Sequence, residues 1–191
     1  MGEQIRRRRD ADRNRQAVLA AARELFAESG DVAMYEVARR AGVGQATLYR
    51  NFRDRDALVA ALAAEQLDAL ERVGSEHAGE PNAFFVLLRS LVETQARFPG
   101  LVECAHEAPV RSAELEPVQQ RLIELLKGSL RDAQAAGLLR PDFKLEDVFL
   151  VVAMVDGALG RERNPARRAA VASRVLALAL DGAKAGPPAG T

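Results

Sequence analysis

The sequence predicts an all-α protein, and three observations predict it. Apolar residues recur at spacings of three and four through most of the chain. Residues that end or open helices, such as Ser29-Gly30, Gly42, Pro99-Gly100 and Asn164-Pro165, fall between those stretches. No segment holds a strand's two-residue alternation for several residues, and there is no internal repeat. The chain has 191 residues, 48% of them hydrophobic and 28% charged, with no Trp. That is enough to bury a core in one or two domains, and it excludes collagen-like, disulfide-rich and strongly disordered classes.

Val18, Ala21, Ala22, Leu25 and Phe26 mark the first helix, which stops before Ser29-Gly30. A short second helix is expected over Met34 to Ala41, with Val37, Ala38 and Ala41 inward and Gly42 turning the chain sharply. Gly44 can cap a third helix, Gln45 to Phe52, and Asp54 a fourth that carries Leu58 and Leu62 to about Val73. Gly74 to Pro81 reads as a break. Phe84, Phe85, Leu87, Leu88, Leu91 and Val92 form the next helix, ending near Phe98-Pro99-Gly100. A short helix is expected over 101 to 108, interrupted by Pro109. A longer one starts at Pro117 and carries Val118, Leu122, Leu125, Leu126, Leu130 and Ala133 up to Ala136-Gly137. Two further helices follow, Leu145 to about Arg161 and Pro165 to about Ala183, before a frayed tail.

The formal net charge is zero, yet its distribution is uneven. Residues 1 to 55 hold 12 Lys and Arg against 8 Asp and Glu, whereas the remainder holds 15 against 19. The basic end is therefore the N-terminus, where Arg6 to Arg9, Arg13 and Arg15 cluster. One cysteine, Cys104, excludes an intramolecular disulfide and suits a reducing compartment, so a cytoplasmic location is expected. Asp10, Asp12, Arg13 and Arg15 stand where an export signal would need an apolar core. The longest apolar run, Val148 to Val155, is far short of the roughly 20 residues that span a membrane. Arg6 occupies the position at which a myristoylation signal needs Ser or Thr.

The third helix carries the functional argument. At about 100° per residue, Leu48 and Phe52 share one side and anchor it, while Ala46, Thr47 and Arg50 face the opposite way, flanked by Gln45, Tyr49 and Asn51. A small residue, a hydroxyl, amides, a phenol and a guanidinium on one outward face suit a DNA major groove, which is wide enough for one helix. Arg50 and Gln45 can each make paired hydrogen bonds to guanine or adenine edges, and Ala46 allows close approach or meets a thymine methyl. Thr47 and Tyr49 offer hydroxyls to phosphate oxygens, and Arg55 can neutralise a phosphate beside the groove. The basic N-terminal residues can add a flexible arm along the backbone or in the minor groove.

The stretch Val37-Ala38-Arg39-Arg40-Ala41-Gly42-Val43-Gly44-Gln45-Ala46-Thr47-Leu48-Tyr49-Arg50-Asn51-Phe52 resembles the DNA-binding motif of the TetR family. Leu25 to Gly30 resembles the end of that family's first helix and Asp54 to Leu58 the start of its fourth, so the likeness covers about residues 13 to 62. It implies that Gln45 and Ala46 approach bases, that Arg50 lies near them, and that Tyr35 sits near a second base-contact position. It implies backbone contacts for Thr47, Tyr49 and Asn51 and a phosphate contact for Arg55. Three residues depart from the pattern: Ala33 where a Thr or Ser cap is usual, Asn51 where His is frequent, and Gly44, opening the recognition helix, where Ser is frequent.

The expected layout is a flexible basic arm over 1–12, a three-helix DNA-binding domain with a helix-turn-helix over 13–53, a helical ligand-binding and dimerisation domain over 54–183, and a disordered tail over 184–191. Past residue 62 the likeness is one of layout, with a pocket enclosed by the middle helices and a dimer built on the last two. The turn Ala136 to Pro141 and the apolar helix after it resemble the C-terminal domain of one actinobacterial subgroup of the family. Candidate pocket residues are Phe84, Phe85, Leu88, Gln95, Phe98, Leu122, Leu126 and Asp156, although apolar stripes of this kind are more often plain core, and Asp156 more often joins an ion pair or an interface. The last two helices are apolar on more than one face, which suggests a two-fold interface through Val151, Val155, Val171, Val175, Leu178 and Ala179.

The function implied is a dimeric transcriptional repressor that binds a pseudo-palindromic operator and is released by a small-molecule effector. An activator or global regulator would share every one of these features, and a helical interaction or lipid-binding scaffold would keep the motif without using it. No cofactor is expected. An enzyme is disfavoured because no paired carboxylates or Ser-His-Asp arrangement occurs at a credible site. Gly42 to Thr47 resembles a dinucleotide fingerprint only superficially, since Thr47 stands for the last Gly and no strand precedes it. Cys104 and His106 diverge by about 200° on a helix, so with His77 in a loop no metal site is expected.

Overall fold

The computed structural model describes residues 2–101, 113–162 and 164–184. Among them are eight helices: α1 Gly2–Glu28, α2 Met34–Ala41, α3 Gln45–Asn51, α4 Arg55–Glu76, α5 Ala83–Arg97, α6 Glu116–Ala135, α7 Leu145–Leu159 and α8 Pro165–Ala183. The only β pairing among the described residues is an isolated antiparallel bridge between Leu139 and Lys184. No helix of these residues is long and apolar enough to cross a membrane.

The described residues form two compact units, one within 1–65 and 98–117, the other within 66–97 and 118–191. The division falls inside α4, after Glu65, and not at the expected boundary between residues 53 and 54. The reason is packing. Leu58, Val59 and Leu62 of α4 are buried with Val18, Ala22, Phe26, Val37 and Leu48 in the first unit's core. Leu101 and Leu115 join that core from far along the chain, with Phe98 packed against it. Arg23 of α1 donates to Glu65 of α4 at 2.9 Å, and Arg53 pairs with Asp54 and Glu114.

Residues 2 to 12, expected as a flexible arm, continue α1. Arg, Gln, Glu and Ala are good helix formers, neither Gly nor Pro occurs between Glu3 and Glu28, and Arg13 pairs with Asp10 one turn earlier at 2.6 Å. The α1–α2 turn lacks a side-chain cap at Ala33, and Glu36 compensates by accepting from the Ala33 N–H at 3.4 Å. Asp54 caps α4 as expected, its Oδ1 accepting from the Ala57 N–H at 2.8 Å.

In the second unit, Phe84, Leu88 and Val92 of α5 are buried with Leu126 and Leu130 of α6, Val148, Val151 and Val155 of α7 and Leu176 of α8. A satellite cluster joins Leu67 and Leu70 of α4 to Leu87. α4 does not break at Gly74 but runs to Glu76. A Cβ at Gly74 would lie 2.9 Å from Leu125 Cδ1, so here glycine serves close helix packing. Arg121 of α6 donates to Glu71 and Asp68 of α4, both at 2.6 Å, and these bonds raise its guanidinium further above the ordinary arginine range. Asn164 caps α8, its side chain accepting from the Ala166 N–H at 3.0 Å. Lys184, expected at the start of a disordered tail, is tied by its bridge to Leu139 and by its N–H to the Leu180 carbonyl at 3.0 Å. The rest of that tail, and most of the helix expected over 101–108 with Cys104 and His106, lies outside the described residues.

Candidate nucleic-acid interface

The recognition helix is built from its turn upward. Gly42 adopts φ 67°, and its N–H and that of Val43 close back on carbonyls of the last turn of α2, with Val43 to Ala38 at 3.0 Å. A side chain at that φ would be strained, so glycine sets the angle at which the chain leaves α2. Gly44 is extended at φ −70° and ψ 149°, and its carbonyl accepts from Thr47 and Leu48 to start α3. A seven-residue helix is too short to hold itself together. Leu48, at 0% exposure, and Phe52, which ends the helix, anchor it on the unit's core.

This leaves Gln45, Ala46, Tyr49 and Arg50 exposed and Thr47 and Asn51 half-buried; Ala46 and Arg50 face outward as the 100° rotation predicts, whereas Thr47, expected beside them, is partly covered where Arg50 lies across it. Arg50 lies along its own helix. Its Nε donates to the Ala46 carbonyl at 3.1 Å and its Nη2 to Thr47 Oγ1 at 2.9 Å. Asn51 Nδ2 donates to the Thr47 carbonyl at 2.8 Å, which satisfies one acceptor of the helix's last turn. Tyr35, on α2, is exposed, as is Arg39 one turn further along.

Arg55 differs from its expected place. It is half-buried, its Nη2 donates to the Gly30 carbonyl, and its guanidinium carbon lies 5.9 Å from the centre of the Phe26 ring. Arg55 therefore ties α4 to the end of α1. Sequence reasoning missed a second such residue. Arg15, read as part of the basic cluster, stacks 4.5 Å over the Phe52 ring and donates to the Asn51 carbonyl at 3.4 Å, so it steadies the C-terminal end of α3. Its distance in sequence from α3 hid this role.

Among the pocket candidates, Phe84, Leu88 and Leu126 are fully buried, Gln95 is 2% exposed, and Phe85, Leu122 and Asp156 are half-buried, all within the second unit. Phe98 is not with them; it packs on the first unit's core. Of the interface candidates, Val151 and Val155 are buried inside their own unit, and Val171, Val175 and Ala179 are partly buried against the same core. Leu178 is exposed. The exposed apolar face of α7 is instead Phe149, Leu150, Ala153 and Met154. Ala153, Met154, Gly157, Ala158, Arg161, Val175 and Leu178 line an open groove of about 460 Å³ between α7 and α8.

The chain is similar to known regulatory proteins. Residues 18–62 match the family model of bacterial regulatory proteins of the tetR family, and residues 80–185 match that of the SbtR-like transcriptional regulator C-terminal domain. A TetR transcription regulatory protein from Mycobacterium vanbaalenii is 32% identical, with 93% of this chain and 98% of that one covered and a TM-score of 0.60. A TetR transcriptional regulator from Streptomyces coelicolor is 29% identical, with 91% and 99% covered and a TM-score of 0.60. An HTH-type transcriptional regulator of Staphylococcus aureus is 28% identical over 103 residues, 51% of this chain and 56% of that protein. The chain spans about half or less of the length of the curated relatives it matches. The DNA-binding motif, the helical C-terminal portion and the near-complete overlap with two regulators place this chain in the TetR family of DNA-binding transcriptional regulators.

Proposed function

We propose that this protein is a homodimeric repressor, acting in the cytoplasm, that binds a pseudo-palindromic operator and is released from it by a small-molecule effector. The observation that carries the DNA-binding role is the outward face of α3, where Gln45, Ala46, Tyr49 and Arg50 stand exposed on a helix held from behind by Leu48 and Phe52. Arg50, braced by Thr47 Oγ1, would turn from its own helix to a base edge, and Gln45 and Ala46 would meet bases beside it. Thr47, Tyr49, Asn51 and the Gly44 end of the helix would lie along phosphates, with Tyr35 and Arg39 reaching from α2. The basic start of α1 would extend that contact beyond the motif.

The exposed apolar face of α7, with Leu178 of α8, supports dimerisation, because Leu150 and Met154 are more than half exposed beside Phe149. A dimer would set two α3 helices about one DNA turn apart. Release requires that an effector bind better to the conformation whose recognition helices do not match the operator spacing. α4 contributes residues to both compact units and is the natural link.

The test is selection of bound duplexes from a random DNA library at a stated salt concentration. A two-fold symmetric consensus is expected, and a folded, ligand-free protein that enriches nothing would overturn the reading. On the selected operator, Arg50→Ala is expected to lower affinity by about 1–3 kcal/mol and to relax preference at one base pair per half-site. Met154→Glu is expected to turn the dimer into monomer in analytical ultracentrifugation, since it sets a charge in the apolar face. A dimer that persists in this variant and in Leu150→Glu would place the interface elsewhere.

A further inference from the structure

Gln95 and Ser129 are the buried polar residues among the described ones, and they differ in how they are satisfied: Ser129 Oγ donates to carbonyls of its own helix. Gln95 is 2% exposed, on a face of α5 otherwise made of Phe84, Leu88 and Val92, against the buried valines of α7. Its Nε2 donates to the Val152 carbonyl at 3.0 Å, while its Oε1 is buried with no hydrogen-bond partner. The bond to Val152 decides which end of the amide is which, because a flipped amide would press oxygen against a carbonyl oxygen. The unpartnered atom is therefore an acceptor. A buried amide oxygen without a donor is destabilising, and a leucine would fill the same space without that cost.

We propose that Gln95 is the polar contact of the effector site in the second unit, and that its ligand is an apolar molecule carrying one uncharged hydroxyl or N–H donor. The site's location rests on the effector reading above; the ligand's chemistry comes from Gln95. An acceptor lacking a donor selects for O–H or N–H and repels a carboxylate. The buried side chains of this cluster are hydrocarbon, with Asp156 of α7 half-buried in the same unit, so the body of the ligand is apolar and uncharged. The ligand donor would complete the Gln95 amide, which already grips the backbone of α7 at Val152, so occupancy would be felt directly by α7.

The probes are 4-propylphenol and its O-methyl ether, which share shape and apolar area and differ in the donor. Calorimetric titration of the full chain is expected to show the phenol binding roughly three- to tenfold more tightly than the ether. In Gln95→Met, which keeps the volume and removes the acceptor, the two should bind alike. Gln95→Leu, read in the same way, replaces it should the methionine variant lose its cooperative unfolding. Equal binding of the two probes to the wild-type chain, as when an ordered water already meets Oε1, overturns the proposal. So does a preference that survives in the variants, or no binding of either probe up to its solubility. Operator release is read in parallel. Phenol preference without release upholds Gln95 as a donor-selective site and removes the effector reading, whereas release by both probes alike does the reverse.

Discussion

Leu48→Ala is expected to remove operator binding while leaving the second unit intact. Leu48 is wholly buried and is the one fully covered side chain within α3, so its truncation leaves a cavity directly behind the recognition face. Large-to-small changes at such positions cost about 2–5 kcal/mol. The cost falls on a seven-residue helix that tertiary packing alone keeps folded. Hydrogen exchange should show the α3 amides losing protection first, with the α5 and α7 amides unchanged, and fluorescence anisotropy should show specific binding lost. Unchanged affinity in this variant would mean that Phe52 and Arg15 suffice to hold the helix, and that Leu48 is not its anchor.

The second large effect is expected from Gly100→Ala. A Cβ at Gly100 would stand 2.2 Å from the Ser29 carbonyl oxygen and 2.6 Å from the Gly30 nitrogen. These are backbone atoms, so no rotamer change relieves the clash. The carbonyl of the same Gly30 accepts from Arg55, on the far side of that residue from the nitrogen the Cβ would strike, and Val32 of the α1–α2 turn is buried in the core that Leu101 shares. One methyl group must therefore move the α1–α2 turn or lift residues 98–101 from it. A destabilisation of about 1–3 kcal/mol is expected in urea unfolding, with operator affinity falling because α2 starts from that turn. Gly128→Ala is the control: Gly128, inside α6, has no atom within 4 Å of an added Cβ and no positive φ, so no loss is expected there. Equal losses in the two variants would show that the contact at Gly100 is not what matters.

Both predictions depend on contacts whose legibility in the sequence differs. Leu48 was readable because α3 is amphipathic: its polar outward residues reveal which way the apolar ones face. The same holds for α2, whose expected and observed limits are both Met34 and Ala41. Asp54 and Gly42 were readable because a cap and a left-handed turn are local requirements of residue type. The contact of Gly100 with Ser29 was not, because about seventy residues separate them and nothing in either one's neighbourhood signals the other. Arg15 and Arg55 carry no local signal either. A guanidinium suits a phosphate and a helix-end carbonyl equally well, and only the folded chain offers the carbonyls of Asn51 and Gly30.

By itself, the sequence determined most of the helices among the described residues, the turn chemistry of the helix-turn-helix, and which side of α3 is apolar. Each of these follows from period and propensity acting within a few residues. Tertiary structure alone decided that α4 runs past Gly74, that Phe98, Leu101 and Leu115 belong with the N-terminal core, and which face of α7 is buried. α7 shows the reason most clearly. From Val148 to Val155 its residues are apolar all round, so periodicity has no phase to report. Packing against α5 and α8 buries Val148, Val151 and Val155 and leaves Phe149, Leu150 and Met154 outside, a choice made by neighbours distant in the chain.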